Sequence, residues 1–195
     1  MFIGLFFIIT VSQAEQKLDE VSKRLEQLTE QQDHLDQNLW EMDTDTDPST
    51  FLQHAQSELR IQEEFNHIQS AMEEAAELTS EFSQSTSEAM KEMAESTLVP
   101  STEKHIDNTA SQLNSQQLNS SRKSSKSALS GLSQLHSMAM DIQQQFQQET
   151  SKEMAEKFQE IMSNVLSLSK SQEHLRKKTS NTPRNSQRVN NLAGQ

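Results

Sequence analysis

The sequence predicts an all-α fold: an elongated bundle of about three long amphipathic helices with coiled-coil-like packing. Apolar residues make up only 32% of the 195 residues, less than in an ordinary globular domain. The chain contains 3 Gly and 3 Pro, so few residues interrupt helices. Apolar side chains also recur in alternating steps of three and four residues, which is the spacing of one helix face.

The first helix is predicted over residues 15–42. Its apolar positions follow a heptad spacing, with Gln32 at the one polar position of the seam. The seam residues of this helix are Leu18, Val21, Leu25, Leu28, Leu35 and Leu39. The helix ends at an acidic turn in which Asp47 is a suitable N-cap and Pro48 a suitable first residue of the next helix.

The second helix is predicted over residues 48–97. Thr79 and Thr86 occupy two positions of its apolar seam, so its pairing should be weaker than that of the first helix. The seam consists of Ile61, Phe65, Ile68, Met72 and Phe82. Pro100 predicts a break near 98–101, because the residue before a proline disfavours helical geometry.

The third helix is predicted over residues 102–178. Its apolar seam is interrupted by the polar stretch 119–127, and a bend is expected near 119–131. The seam residues are Leu132, Leu135, Ile142, Phe146, Phe158, Ile161, Val165 and Leu168. Residues 15–178 should thus form the helical bundle, and the composition of 179–195 predicts a flexible basic tail.

Residues 1–14 are strongly apolar, but their apolar run is about half as long as a helix that spans a bilayer. The segment fits a signal peptide, since Ser12 and Ala14 are small residues at cleavage-site positions, although no Lys or Arg precedes the apolar run. It equally fits the end of a transmembrane helix that begins outside this chain. A third alternative is the apolar first turn of a soluble helix. The segment predicts a periplasmic or extracytoplasmic protein, exported or tethered to the inner membrane.

Charge is unevenly distributed along the chain. The net charge is −12, with −16 over residues 1–100 and +5 over residues 170–195. The acidic helices would repel phosphate, so nucleic-acid binding is not expected. The absence of Cys excludes disulfides, thiolate zinc sites and cysteine nucleophiles. The basic patch at Arg176–Lys178, Arg184 and Arg188 fits a solvated helix end, or a contact with anionic lipid or an acidic partner.

Two motifs have the spacing of metal ligands but lack the remaining ligands. Asp43, Asp45 and Asp47 resemble the start of an EF-hand loop, yet a proline and a histidine stand where that loop requires Gly and Glu. Glu64 and His67 have the spacing of one half of a di-iron site, and no second Glu-x-x-His exists. No Gly-rich phosphate loop or serine-hydrolase elbow occurs either. The sequence therefore predicts no enzyme, no cofactor and no metal site.

The stretch Phe158–Thr179 carries a resemblance to a known family. Its pieces 166–169, 172–173 and Leu175 resemble a recurring phrase in large bacterial envelope proteins that are classified as a domain of unknown function. Residues 192–195 are similar to the start of the next family segment, and 71–75 to an earlier one. The resemblance implies membrane-anchored proteins with a Gln-rich, helical extracytoplasmic region, and it implies no catalytic residues.

These patterns predict a non-enzymatic structural or protein-interaction helical module of the bacterial cell envelope. Its apolar stripes would contact a protein partner or a second copy of the chain. No nucleic acid or small-molecule substrate is expected. The alternative is an amphipathic protein that binds lipid surfaces. The polar faces of residues 15–100 count against it, because they are acidic whereas surface-binding helices are usually basic there.

Overall fold

The computed structural model describes residues 2–43 and 45–180, with side chains from residue 11 onward, and confirms an all-α chain. Its helices are α1 (Phe2–Glu41), α2 (Pro48–Thr79), α3 (Gln84–Glu95), α4 (Leu98–Asn114) and α5 (Leu118–Ser180). None of the helices in these ranges combines the length and apolarity needed to cross a membrane. The chain divides into two compact units, Met1–Thr150 and Ser151–Gln195.

The first unit is a bundle of four antiparallel legs: α1, α2, α3 followed by α4, and residues 118–150 of α5. Three pairs of neighbouring legs share contacts that run in opposite order along the two helices. These contacts are Lys17–Glu74 and Arg24–Glu64 for α1 and α2, Asp19–Gln143 and Gln32–Ser125 for α1 and α5, and Gln112–Ser124 and Thr102–Gly131 for α4 and α5.

Helix α2 begins at the predicted cap residues. Asp47 is the N-cap of α2, with its carboxylate accepting a hydrogen bond from the backbone N–H of Ser49 over 2.7 Å. Pro48 is the first residue of the helix, where no intrahelical N–H bond is lost. These local signals were sufficient to predict where α2 begins, because a cap depends on residues only a few positions apart.

The predicted second helix, 48–97, is wrong, because α2 ends at Thr79 and α3 begins at Gln84. The Ser83 hydroxyl accepts a hydrogen bond from the backbone N–H of Thr86 over 3.0 Å and so caps α3. The Thr79 hydroxyl donates to the carbonyl of Ala75 over 2.8 Å. Serine and threonine side chains thus bond to the backbone at this break, as they often do at helix ends.

The predicted break at 98–101 is also misplaced. Helix α3 ends at Glu95 and α4 begins at Leu98, so Pro100 lies within the first turn of α4. The first N–H groups of a helix have no intrahelical acceptor, and a proline there removes no hydrogen bond.

The predicted third helix, 102–178, is divided by a turn at residues 115–117. Gln116 has a φ of 54° and serves as the left-handed residue that ends α4. The backbone N–H of Gln117 donates to the carbonyl of Gln112 over 2.8 Å, and that of Gln116 to Leu113 over 2.9 Å. Glycine usually occupies such a position, so the sequence carried no strong signal for this turn.

The stretch 119–127, where the seam is interrupted, is helical throughout. Ser121 and Ser125 are fully buried there. Farther along α5, Gly131 lies so close to α4 that a Cβ atom on it would be 2.1 Å from the Thr102 Oγ1. Small residues on α5 therefore allow a close approach between these two helices.

The second unit is described over residues 151–180, which are helical. Every side chain there is exposed except Glu153, which is half-buried. The predicted tail begins at 179, but the helix extends to Ser180, and residues 181–195 lie outside the described part. The predictions for residues 1–14 fall largely on side chains outside the described part; within it, Val11 and Ala14 are buried in the first unit.

Candidate functional site

The predicted seam residues fall into two groups in the structure. Those of the first unit lie in its core, with Phe82 half-buried against it: Leu18, Val21, Leu25, Leu28, Leu35, Leu39, Ile61, Phe65, Ile68, Met72, Leu132, Leu135, Ile142 and Phe146. Those of the second unit, Phe158, Ile161, Val165 and Leu168, are exposed. The same spacing of apolar residues thus belongs to a closed core in one unit and to an uncovered helix face in the other.

A polar layer crosses the core of the first unit, with one residue from each leg: Gln32, Glu58, Thr109 and Ser125. All four are fully buried. The Gln32 Nε2 donates hydrogen bonds to the Glu58 Oε2 over 3.3 Å and to the Ser125 Oγ over 3.1 Å. The Thr109 hydroxyl donates to the carbonyl of His105 over 2.8 Å, and Thr109 lies close enough to Glu58 to lower the pKa of its carboxyl. The layer therefore brings together residues of all four legs at one level of the bundle.

Glu58 is the titratable group of this layer. The pKa of its carboxyl is raised from 4.5 to about 8, chiefly by burial. The polar side chains of Gln32 and Thr109 act to lower this pKa, and the negative charge of Asp36 acts to raise it. Among the described side chains, three buried oxygens lack a hydrogen-bond partner: Gln32 Oε1, Asp36 Oδ1 and Glu58 Oε1. A proton on Glu58 turns one of these acceptors into an O–H donor, so the neutral acid suits the buried layer at neutral pH.

The polar layer has the features of residues that align packed helices, and not those of a substrate or metal site. Its four side chains are shielded from solvent, so a substrate has no access to them. Within the described part of the chain, no three His, Asp or Glu residues are grouped as metal ligands. A shift in helix register would leave Glu58 and Gln32 facing apolar side chains, which is energetically costly. The layer therefore favours one alignment of the legs.

Sequence reasoning placed Gln32 in the seam but missed the other three members of the layer. Thr109 follows Ile106 by three residues and precedes Leu113 by four, so it occupies a seam position. Ser125 also occupies a seam position, since it precedes Ala128 by three residues and Ala128 precedes Leu132 by four. A search that allowed polar residues at seam positions would have found both, but their partners are defined only by the packing of the legs.

Arg122 connects α5 to the end of α1. Its Nε donates to the carbonyl of Leu39 over 2.8 Å, and its Nη2 donates to that of Met42 over 2.6 Å. The guanidinium also lies 4.9 Å from the ring centroid of Trp40, which is a cation–π contact. A cation at a helix C-terminus satisfies carbonyls that lack intrahelical partners. Trp40 is thus held by a charged side chain on the surface and does not lie in the core.

The candidate ligand motifs have local structural roles. The Asp43 Oδ1 accepts a hydrogen bond from the backbone N–H of Asp45 over 3.0 Å, so this carboxylate stabilises the turn. Thr44, within the same turn, lies outside the described residues. The Glu64 carboxylate accepts from the Arg24 guanidinium over 3.4 Å, and His67 is exposed. These residues therefore do not converge on a common site.

The remaining candidate site is a surface of the second unit, which we name the exposed apolar face. It consists of Met154, Phe158, Ile161, Met162, Val165, Leu166, Leu168 and Leu175. Phe158 is 64% exposed and Leu168 is 63% exposed, so these side chains have no packing partner in the described structure. Large contiguous apolar patches on soluble proteins commonly mark contact sites.

Comparisons with known proteins identified no relative: no family model, curated protein or solved structure matches this chain.

Proposed function

We propose that this chain is a non-enzymatic protein-interaction module of the bacterial cell envelope, and that the exposed apolar face is its contact surface. The observation that carries the proposal is the contrast in burial between the two units. The first unit covers its apolar seams, whereas eight large apolar side chains of the second unit remain in solvent. Burial of such a surface against a partner is favourable at roughly 25 cal/mol per Å².

The first unit serves in this proposal as a structural body. Its α1 and α2 would pair in a coiled-coil-like manner, because the heptad seam of α1 is buried from Leu18 to Leu39. Ion pairs beside the seam support this pairing: Lys17 Nζ lies 2.6 Å from the Glu74 Oε2, and Arg24 Nη1 lies 3.4 Å from the Glu64 Oε1. The polar layer would then fix the alignment of the four legs.

The envelope location rests on the sequence. The apolar residues at the start of the chain fit an export or anchoring segment, and Phe158–Thr179 resembles segments of membrane-anchored envelope proteins. Fractionation of bacterial cells that produce the full chain tests this location. Recovery in the cytosol alone would contradict it.

Site-specific photocrosslinking tests the interaction surface. A photoreactive residue placed at Val165, on the exposed apolar face, should give a protein crosslink in cells that produce the full chain. The matched control is Ser163, which is exposed on the opposite side of the same helix. Equal labelling at the two positions, or none at either, would contradict the proposed contact surface.

A lipid surface is the second candidate for the same face. Residues 151–195 carry eight Lys or Arg and four Glu, a net charge of +4 that would attract anionic lipid. The cations are concentrated near the end of the helix, however. Between Lys157 and Lys170 the only charged residue is Glu160. Helices that lie on membranes usually carry Lys and Arg along the whole polar face, so a protein contact is favoured.

A further inference from the structure

The centre of the exposed apolar face has the spacing of a coiled-coil seam. From Phe158 its positions advance by three and four residues in alternation, through Ile161, Val165 and Leu168 to Leu175, with Gln172 at the one polar position. The helix is unbroken over this range. A surface of this pattern is complementary to another helix with the same pattern.

The residues that border the central part of this seam are uncharged. In the heptad register these are Met162, Asn164, Ser169 and Ser171, whereas Lys157 and Arg176 border its two ends. In a symmetric pair the borders of one helix lie beside borders of the same composition on the other, and like charges there would repel. Neutral borders remove this repulsion along the central part of the seam. A helix adapted to a partner of opposite charge would instead carry charged residues at these positions.

The size of the face is also sufficient for a symmetric pair. Its eight large side chains are each roughly half exposed. At roughly 100 Å² of exposed surface per large side chain, they present on the order of 800 Å². A stable interface buries about 800 Å² on each partner. Two copies of this face could therefore cover most of one another's apolar surface, although Leu166 lies outside the seam in this register.

We propose that the partner of the exposed apolar face is a second copy of this chain, so that two copies pair through residues 154–175. This inference rests on the proposed function, because it names the occupant of the same contact surface. Pairing transfers the apolar side chains of both copies from water into one shared seam. It also places Gln172 at a seam position, where a polar residue can restrict the register and the number of helices.

Sedimentation velocity on the full chain tests the proposal. The expected result is a concentration-dependent species of twice the 22.2 kDa chain mass. The double variant Val165→Asp/Leu168→Asp should be monomeric at every concentration, because each copy would bring two carboxylates into the seam. The matched control Ser163→Asp/Ser167→Asp adds the same charge outside the seam and should remain dimeric. Thermal unfolding of each variant checks that the first unit remains folded.

The possible outcomes separate this inference from the proposed function. A dimer that persists in Val165→Asp/Leu168→Asp would overturn the inference, because the pairing surface would lie elsewhere. A monomeric chain that crosslinks from position 165 to a different protein would overturn self-pairing and leave the interaction module intact. A monomeric chain without crosslinks would overturn both proposals. A monomer that floats with anionic phospholipid vesicles would assign the face to a lipid surface instead.

Discussion

Two phenylalanines on α5 show how the two units differ in the burial of their apolar side chains. Phe146, in the first unit, is fully buried, and Phe158, in the second unit, is 64% exposed. Both lie in the same continuous helix and both occupy positions of its apolar stripe. Helix propensity and apolar spacing are thus similar at the two sites. Burial depends on whether other helices pack around the position.

A comparison of Ser125 with Leu168 shows that a polar side chain of α5 can be buried while an apolar one is exposed. Ser125 is fully buried in the first unit, whereas Leu168 is 63% exposed in the second. Inside the bundle a serine can be buried because its hydroxyl accepts a hydrogen bond from Gln32. The second unit has no neighbouring leg in the described structure that could cover its leucine. Residue hydrophobicity is therefore a weaker guide to burial in this chain than the presence of packed neighbours.

The largest expected effect is a difference in stability between two identical substitutions. Phe146→Ala should destabilise the first unit by about 3–5 kcal/mol, since it leaves a cavity among buried side chains. Phe158→Ala should change the free energy of unfolding of that unit by less than about 0.5 kcal/mol, because the side chain is exposed. Urea unfolding followed by circular dichroism gives both values. Equal losses would show that residues around 158 contribute to the core.

The second effect is a fall in the free energy of unfolding as the pH rises, caused by the ionisation of Glu58. The folded pKa of this group is about 8 and its ordinary value is 4.5, so the folded state binds more protons than the unfolded state between these values. Stability from this group is complete below pH 4.5 and is lost as the pH rises towards 8. The slope should approach about 1.4 kcal/mol per pH unit, and urea unfolding at pH 6 and pH 8 measures it.

Glu58→Gln is the control for this pH dependence, since the amide is close in shape to the neutral acid and does not titrate. The difference between the two proteins removes the contribution of His54, whose pKa is lowered by burial and whose effect on stability appears as the pH falls. Parallel pH profiles for wild type and Glu58→Gln would show that Glu58 is ionised in the folded protein.

The smallest effect concerns close packing. Gly131→Ala should destabilise the first unit by about 1–3 kcal/mol, because the new Cβ would be 2.1 Å from the Thr102 Oγ1. In the second unit Ser163→Ala should be neutral or slightly stabilising, since alanine favours a helix and nothing packs on that residue. The added substitution Thr102→Ala should recover part of the loss at Gly131. Thermal unfolding of the wild type, Gly131→Ala, Thr102→Ala and the double variant measures the coupling between positions 102 and 131. A Gly131→Ala variant as stable as the wild type would contradict the close approach of α4 and α5.

Local features of the fold could be predicted well from the sequence. The Asp47 cap and the start of α2 at Pro48 depend on residues that are near one another in the chain. The breaks at 80–83 and 115–117 were missed, because Ser83 begins α3 and Gln116 ends α4 only in the context of the folded bundle. Ser83 in addition bonds to the Glu149 carboxylate, 66 residues away, which no local pattern indicates.

By itself the sequence determined that this chain is helical and which residues share a helix face, since both follow from the spacing of apolar residues and the scarcity of Gly and Pro. Only the tertiary structure decided which of those faces is covered. Gln32 and Glu58 are 26 residues apart, and Gln32 and Ser125 are 93 apart, yet they meet in one layer. Helix periodicity specifies the direction of a side chain but not the partner it meets, so the closed core and the exposed apolar face follow from packing.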